Sequence, residues 1–195
     1  MKTFSPTSSR EPALVWVESM GGPLIAVPVS ALTQWHGCTT SGMVIGSGQV
    51  LDDYDRAGEV EGLAGVIAVG EDRARGLVLG DEPASSCYMA EHRAFVRWLG
   101  ADCEADLVAA AHAVLADPAT AWEDCGVWET DGPAVLMDSV TAGAELGREF
   151  PNGGGLPEQA PVPIGPGRWT VRAVHASSIE GTSVVVIQLL PQPSN

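Results

Sequence analysis

Lysine is almost absent from this chain. Lys2 is the single example, the other nine basic residues are arginines, and twenty-five acids bring the net charge to −15 over 195 residues. A basic face able to neutralise phosphates cannot be assembled from so few cations, which sets aside nucleic acid as a partner. An anionic membrane surface repels the chain for the same reason. Long apolar runs are missing too: those present, such as Val184 to Ile187 with Leu189 and Leu190, fall far short of the ~20 residues that span a bilayer. No CxxC pair occurs among Cys38, Cys87, Cys103 and Cys125, so neither structural zinc nor a redox dithiol is expected. Residues 1–12 read as a disordered or extended tail, polar around Lys2 and Arg10, with no apolar core of signal-peptide length after it. These absences predict a cytoplasmic protein with free thiols.

Catalytic signatures are equally scarce. There is no G-x-S-x-G elbow, no phosphate-binding glycine loop and no H-E-x-x-H or H-x-H spacing among His36, His92, His112 and His175. His36 near Cys38, and His92 after Cys87, are the Cys/His neighbours that a small hydrolase would need. Asp52-Asp53-Tyr54-Asp55 is rich in oxygen ligands but lacks the spacing, glycine and terminal glutamate of an EF-hand loop. No catalytic residue, metal or cofactor is therefore expected.

What is present is globular: 45% of residues are apolar and 18% charged, in a length suited to one domain. Leu14–Val17 and Leu24–Val27 read as strands split by Gly21-Gly22-Pro23. Met43–Ile45, Ala64–Val69 and Leu77–Leu79 read as further strands, the last two joined around Gly70–Arg73. Phe95–Leu99 fits strand or helix, with its shortness and aromatics favouring strand. A helix starts at Asp102 as N-cap and carries Leu107, Ala111, Val114 and Leu115 in one stripe before Asp117-Pro118 ends it. A weaker helix is expected over Val140–Leu146. Residues 151–166 read as a proline- and glycine-rich surface linker without a regular ladder. Trp169–His175 and Ser183–Leu190 read as a hairpin.

One internal echo stands out. Trp16 to Ile25 and Trp128 to Leu136 each run from a tryptophan through an acid and a polar turn ending in Gly-Pro to an apolar strand. The echo predicts an α+β fold of two related β-rich lobes, 13–83 and 122–191. The sheet is mainly antiparallel, and one amphipathic helix lies between the lobes, all within a single domain over 13–195.

Charge is uneven along the chain. The fifty positions between Arg97 and Arg148 hold ten carboxylates and no lysine or arginine. A second acidic stretch comprises Asp52, Asp53, Asp55, Glu59, Glu61, Glu71, Asp72, Asp81 and Glu82, interrupted by three arginines. Such runs are either solvated faces or docking surfaces for a basic partner. Trp122, followed by Glu123 and Asp124 inside the base-free stretch, has the make-up of an aromatic interface anchor rimmed by acids.

Several strings resemble the bacterial immunity protein 21 family. They are Trp16-Val17-Glu18-Ser19 with Gly21–Leu24, Asp53-Tyr54-Asp55-Arg56-Ala57, and Leu77 to Pro83. Phe95-Val96-Arg97-Trp98 before the Asp102 helix, Val127 to Pro133, and Arg168 to Pro191 continue the likeness over nearly the whole chain. The resemblance implies an α+β immunity protein of a polymorphic toxin system, cytosolic and non-enzymatic, that binds a cognate toxin domain and blocks it. It implies no contact residues. Charge and aromatic placement nominate Asp52, Asp53, Tyr54, Asp55, Glu71, Asp72, Asp81 and Glu82, with Trp122, Glu123 and Asp124 as a second patch. They suit a basic partner such as a nuclease. The alternatives are a module that self-associates through an exposed strand edge and a small Cys/His hydrolase.

Overall fold

The computed structural model describes residues 13–39, 51–70, 74–80, 82–151, 153–178 and 181–193. Strands dominate, and their residues are mainly apolar wherever both faces are covered. Strand β1 (Trp16–Val17) leads to β2 (Leu24–Pro28), every residue of which is buried. A 3-10 turn (Val29–Gln34) and helix α1 (Asp53–Gly58) precede β3 (Gly65–Ala68) and β4 (Arg75–Val78). Then come β5 (Ser86–Met89), β6 (Ala94–Gly100) and the long helix α2 (Glu104–Ala116). The chain continues through β7 (Glu123–Thr130), β8 (Ala134–Asp138) and β9 (Gln159–Val162), and closes with the hairpin β10 (Gly167–Ser177) and β11 (Ser183–Pro191).

Two antiparallel sheets result, ordered β1-β5-β6-β11-β10-β7 and β3-β4-β2-β8-β9. They pack face to face. Phe95, Val185, Ile187 and Trp128 from the first meet Leu24, Leu77, Leu136 and Val162 from the second in one apolar cluster. Alternate residues serve the outer faces. On the six-stranded sheet, Val96, Val184 and Val186 lie under Leu107 and Ala111 of α2. On the five-stranded sheet, Ile25, Val27 and Met137 are covered by Ala31, Trp35, Ala57 and Leu146. A strand buried on both faces shows no polar alternation, which is why β2 reads as an uninterrupted apolar run and β6 and β11 as runs broken inside only by Arg97 and Gln188.

The first half of the chain supplies β1, β5 and β6 to one sheet and β2, β3 and β4 to the other. The second half supplies β11, β10 and β7, and β8 and β9. The halves meet at the central antiparallel pairs β6–β11 and β2–β8. Between layers, β3 and β4 pack on β7, whereas β1 and β5 pack on β9. The halves thus share one sandwich and its core.

Several expectations need correction. The 151–166 segment does form a ladder: β9 pairs with β8, with Ala160 and Val162 buried and Pro161 opposite Val135. It is an edge strand, and an edge has a free side on which a missing N–H costs no ladder bond. The 140–146 helix reduces to a 3-10 turn at Gly143–Glu145. A Cβ on Gly143 would lie 2.1 Å from the Leu32 carbonyl oxygen, so the glycine serves close packing, not helix propagation. Helix α2 begins one residue later than expected, with Cys103 as N-cap and no side-chain cap. Strand β5 was not expected, and neither was α1. The expected strand at 43–45 and the turn residues 71–73 lie outside the described residues, as does the 1–12 tail.

Candidate functional site

Helix α1 begins with a reciprocal cap. The Asp52 carboxylate accepts from the Asp55 amide at 2.8 Å, and the Asp55 carboxylate accepts from the Asp52 amide at 3.2 Å. Asp52 also accepts from the Thr39 amide at 2.7 Å and from its hydroxyl at 3.3 Å. Burial pushes the Asp52 carboxyl upward, but the hydrogen bonds from Thr39 and Asp55 outweigh it and leave the pKa below its ordinary value. Asp53 is buried, accepts from the His36 amide at 2.6 Å and pairs with the Arg56 guanidinium. The Tyr54 ring lies against Gly22, at a spot where a Cβ would meet it at 2.5 Å. These groups tie α1 to the loop after the first 3-10 turn, over the outer face of the five-stranded sheet.

The second nominated patch lies elsewhere. Trp122 packs with the α2 cluster on the outer face of the six-stranded sheet, so the structure does not bring it together with α1. The Arg172 guanidinium sits 4.2 Å from the centre of its ring, a close cation–π contact. Glu123 and Asp124 follow on β7, the exposed edge of that sheet. Between Asp124 and Val127 the pairing with β10 slips, leaving Cys125 and Gly126 opposite Val171. Gly126 takes φ +90°, and its amide donates to the Asp124 carboxylate at 2.8 Å. A bulge of this kind twists an edge and re-aims its side chains.

Past the bulge, Trp128 turns inward and is fully buried, its indole N–H donating to the Arg75 carbonyl at 2.8 Å. Glu129 and Asp131 remain exposed. Neither was nominated from sequence, although both lie in the base-free stretch; the period-2 alternation around Trp128 is the signal that places Glu129 outward. Among the described residues, no ion pair joins Glu123, Asp124, Glu129 or Asp131. Asp131 accepts from the Ser30 hydroxyl at 2.9 Å. Glu82 is exposed, and its carbonyl accepts from the buried Arg97 guanidinium at 2.5 Å. Glu71, Asp72 and Asp81 lie outside the described residues.

Three of the four thiols are poorly set for nucleophilic work. Burial, with Glu104 nearby, pushes Cys87 up to about 12. Burial and the Asp52 and Asp55 charges raise Cys38, whose sulfur contacts the Thr39 carbonyl at 3.9 Å. Cys125 is also raised, by burial and by Glu123 and Asp124, with contacts from Ala64 and Ala173 working in the opposite direction. A raised pKa keeps the thiol protonated and unreactive. No helix among the described residues is long and apolar enough to cross a membrane.

A family model described as Immunity protein 21 matches residues 15–182. No match was found among curated proteins or among solved structures. The matched span takes in every strand from β1 to β10, the whole acidic edge and both helices. This chain belongs to the immunity protein 21 family.

Proposed function

We propose that this protein binds a cognate toxin domain and blocks it, and that the acids of the β7 edge face the toxin. The observation that carries the reading is the row Glu123, Asp124 and Glu129 on an exposed edge strand, unpaired by any cation among the described residues. Asp124 accepts only the Gly126 amide two residues on. Although Arg172 and Arg168 stand opposite Asp124 and Glu129 on β10, none of the three acids is joined in an ion pair among the described residues, so their charge stays available to an incoming partner. By contrast, Asp52, Asp53 and Asp55 already hold backbone amides, Thr39 or Arg56, so drawing them into an interface would break contacts that shape α1. Trp122 adjoins the acidic row as an aromatic anchor, and Arg172 orients its ring.

The partner chemistry that fits is a basic protein surface, such as the phosphate-binding cleft of a nuclease toxin. Complementary charge there raises the encounter rate and selects the partner, while the aromatic holds the complex. Co-expression tests this directly. The wild-type chain is expected to protect cells making the toxin domain encoded beside it, whereas E123K/D124K/E129K loses protection while remaining folded. Full protection by the triple variant would move the interface to another face. Absence of protection by the wild-type chain would contradict the function.

A further inference from the structure

Two of the four histidines meet at a place unrelated to the acidic edge. The turn between β5 and β6, residues 90–93, is held from several sides. The His92 amide donates to the Met89 carbonyl at 3.2 Å, the Gln188 side chain donates to the His92 carbonyl at 3.3 Å, and the Leu189 amide donates to the Arg93 carbonyl at 2.9 Å. Arg93 takes a left-handed φ of 48°, uncommon for a residue with a side chain. The turn therefore presents Glu91 and His92 from a fixed platform.

Helix α2 lays His112 over that platform. The His92 and His112 rings are 5.0 Å apart between centroids and inclined by 74°, and Glu91 Oε1 is 3.7 Å from His92 Nε2. One ligand atom from each of Glu91, His92 and His112 falls within 4.8 Å of the other two. Tetrahedral coordination with bonds near 2.0–2.2 Å sets neighbouring ligand atoms about 3.4 Å apart. A rotation of the half-exposed Glu91 side chain and small ring movements close that gap.

We propose that Glu91, His92 and His112 form a binding site for a divalent transition-metal ion of the zinc class. Two imidazoles and a carboxylate are donors suited to such an ion, and three protein ligands leave one position open. Glu91 and His112 also line a cavity of about 300 Å³ with Leu14, Met89 and Val108. The ion would bridge α2 to the β5–β6 turn, residues twenty positions apart in sequence. The net charge of −15 favours cation capture over anion capture at any such site.

The test is a titration of the chelator-stripped full-length chain with zinc chloride, followed by imidazole proton NMR and thermal melting. One ion per chain is expected. The ring signals of His92 and His112 should move together while those of His36 and His175 stay in place. Tm should rise by roughly 5–10 °C at a hundredfold excess over Kd, with no comparable rise in magnesium chloride. His92→Ala and His112→Ala should each weaken zinc binding at least about tenfold, the scale reached even by outer-shell changes, while Cys103→Ser leaves it unchanged. Undetectable binding, unchanged affinity in both histidine variants, or signals moving at His36 or His175 instead would overturn the site. The NMR readout on the unmodified chain decides the matter even if a variant fails to fold.

Discussion

Asp52 shows how the same acidic residue supports two readings until its partners are known. As composition, Asp52-Asp53-Tyr54-Asp55 is a charge cluster aimed at solvent. As local structure, the spacing of Asp52 and Asp55 is that of a reciprocal helix cap, and Asp53 is buried against an amide and a guanidinium. The cap signature is in the sequence, but only the fold reveals Thr39 and His36 as additional donors. Asp52→Ala is expected to cost about 1 kcal/mol in chemical unfolding. The pH dependence has a definite sign. Because the folded Asp52 pKa is depressed, its contribution is complete above the unfolded value near 3.9 and is lost as pH falls through the folded value. Acid titration of stability should therefore be shallower in Asp52→Asn than in the wild-type chain. Trp128 offers a cleaner separation of packing from hydrogen bonding. Trp128→Phe leaves the Arg75 carbonyl without its indole donor and should cost roughly 1–3 kcal/mol. Trp128→Ala should cost roughly 3–5 kcal/mol by adding a cavity in the shared core.

Among the elements, those with a strong apolar run or a strong period were legible in advance: β2, β4, β6, the β10–β11 hairpin and the body of α2. The misreadings share a cause. In β9, proline and glycine flank a strand whose alternation, Ala160 and Val162 in with Pro161 out, spans only four residues and is stabilised by β8 from far along the chain. At 140–146 the apolar spacing suits a helix, but the segment must approach the first 3-10 turn, where Gly143 permits contact with the Leu32 backbone. Gly143→Ala should accordingly destabilise the protein by roughly 1–3 kcal/mol despite its better helix propensity, measured by urea unfolding. Pro161 has a second consequence. The β9 edge is blunted by proline, a common device against edge-to-edge pairing. Pro161→Val should leave the fold intact and promote self-association, visible in sedimentation as a concentration-dependent increase in mass.

For the whole molecule, the two Trp-to-Gly-Pro segments hold comparable places in the two sheets, although the 13–83 lobe leaves out β5 and β6 and the first half carries an additional strand, β3. Trp16 in β1 and Trp128 in β7 lie on opposite edges of the six-stranded sheet, and the strands that follow them, β2 and β8, pair at the centre of the other. We propose that the halves are a duplicated unit. Their interlayer contacts cross between halves, so neither has a core of its own, and the full chain should unfold in a single cooperative transition by both circular dichroism and tryptophan fluorescence. Asp52, Asp53 and Asp55, and Glu123 with Asp124, were visible as composition, but the association of the first group with the five-stranded sheet and the second with the six-stranded one was not, because it depends on which sheet each segment joins.

Association kinetics with the cognate toxin domain test the central claim most directly. If unpaired carboxylates on β7 guide the encounter, the association rate should fall at least about tenfold between roughly 10 mM and 150 mM salt. The E123K/D124K/E129K variant should lose both the fast rate and its salt dependence. A salt-independent rate, or a triple variant that associates as fast as the wild-type chain, would contradict the account.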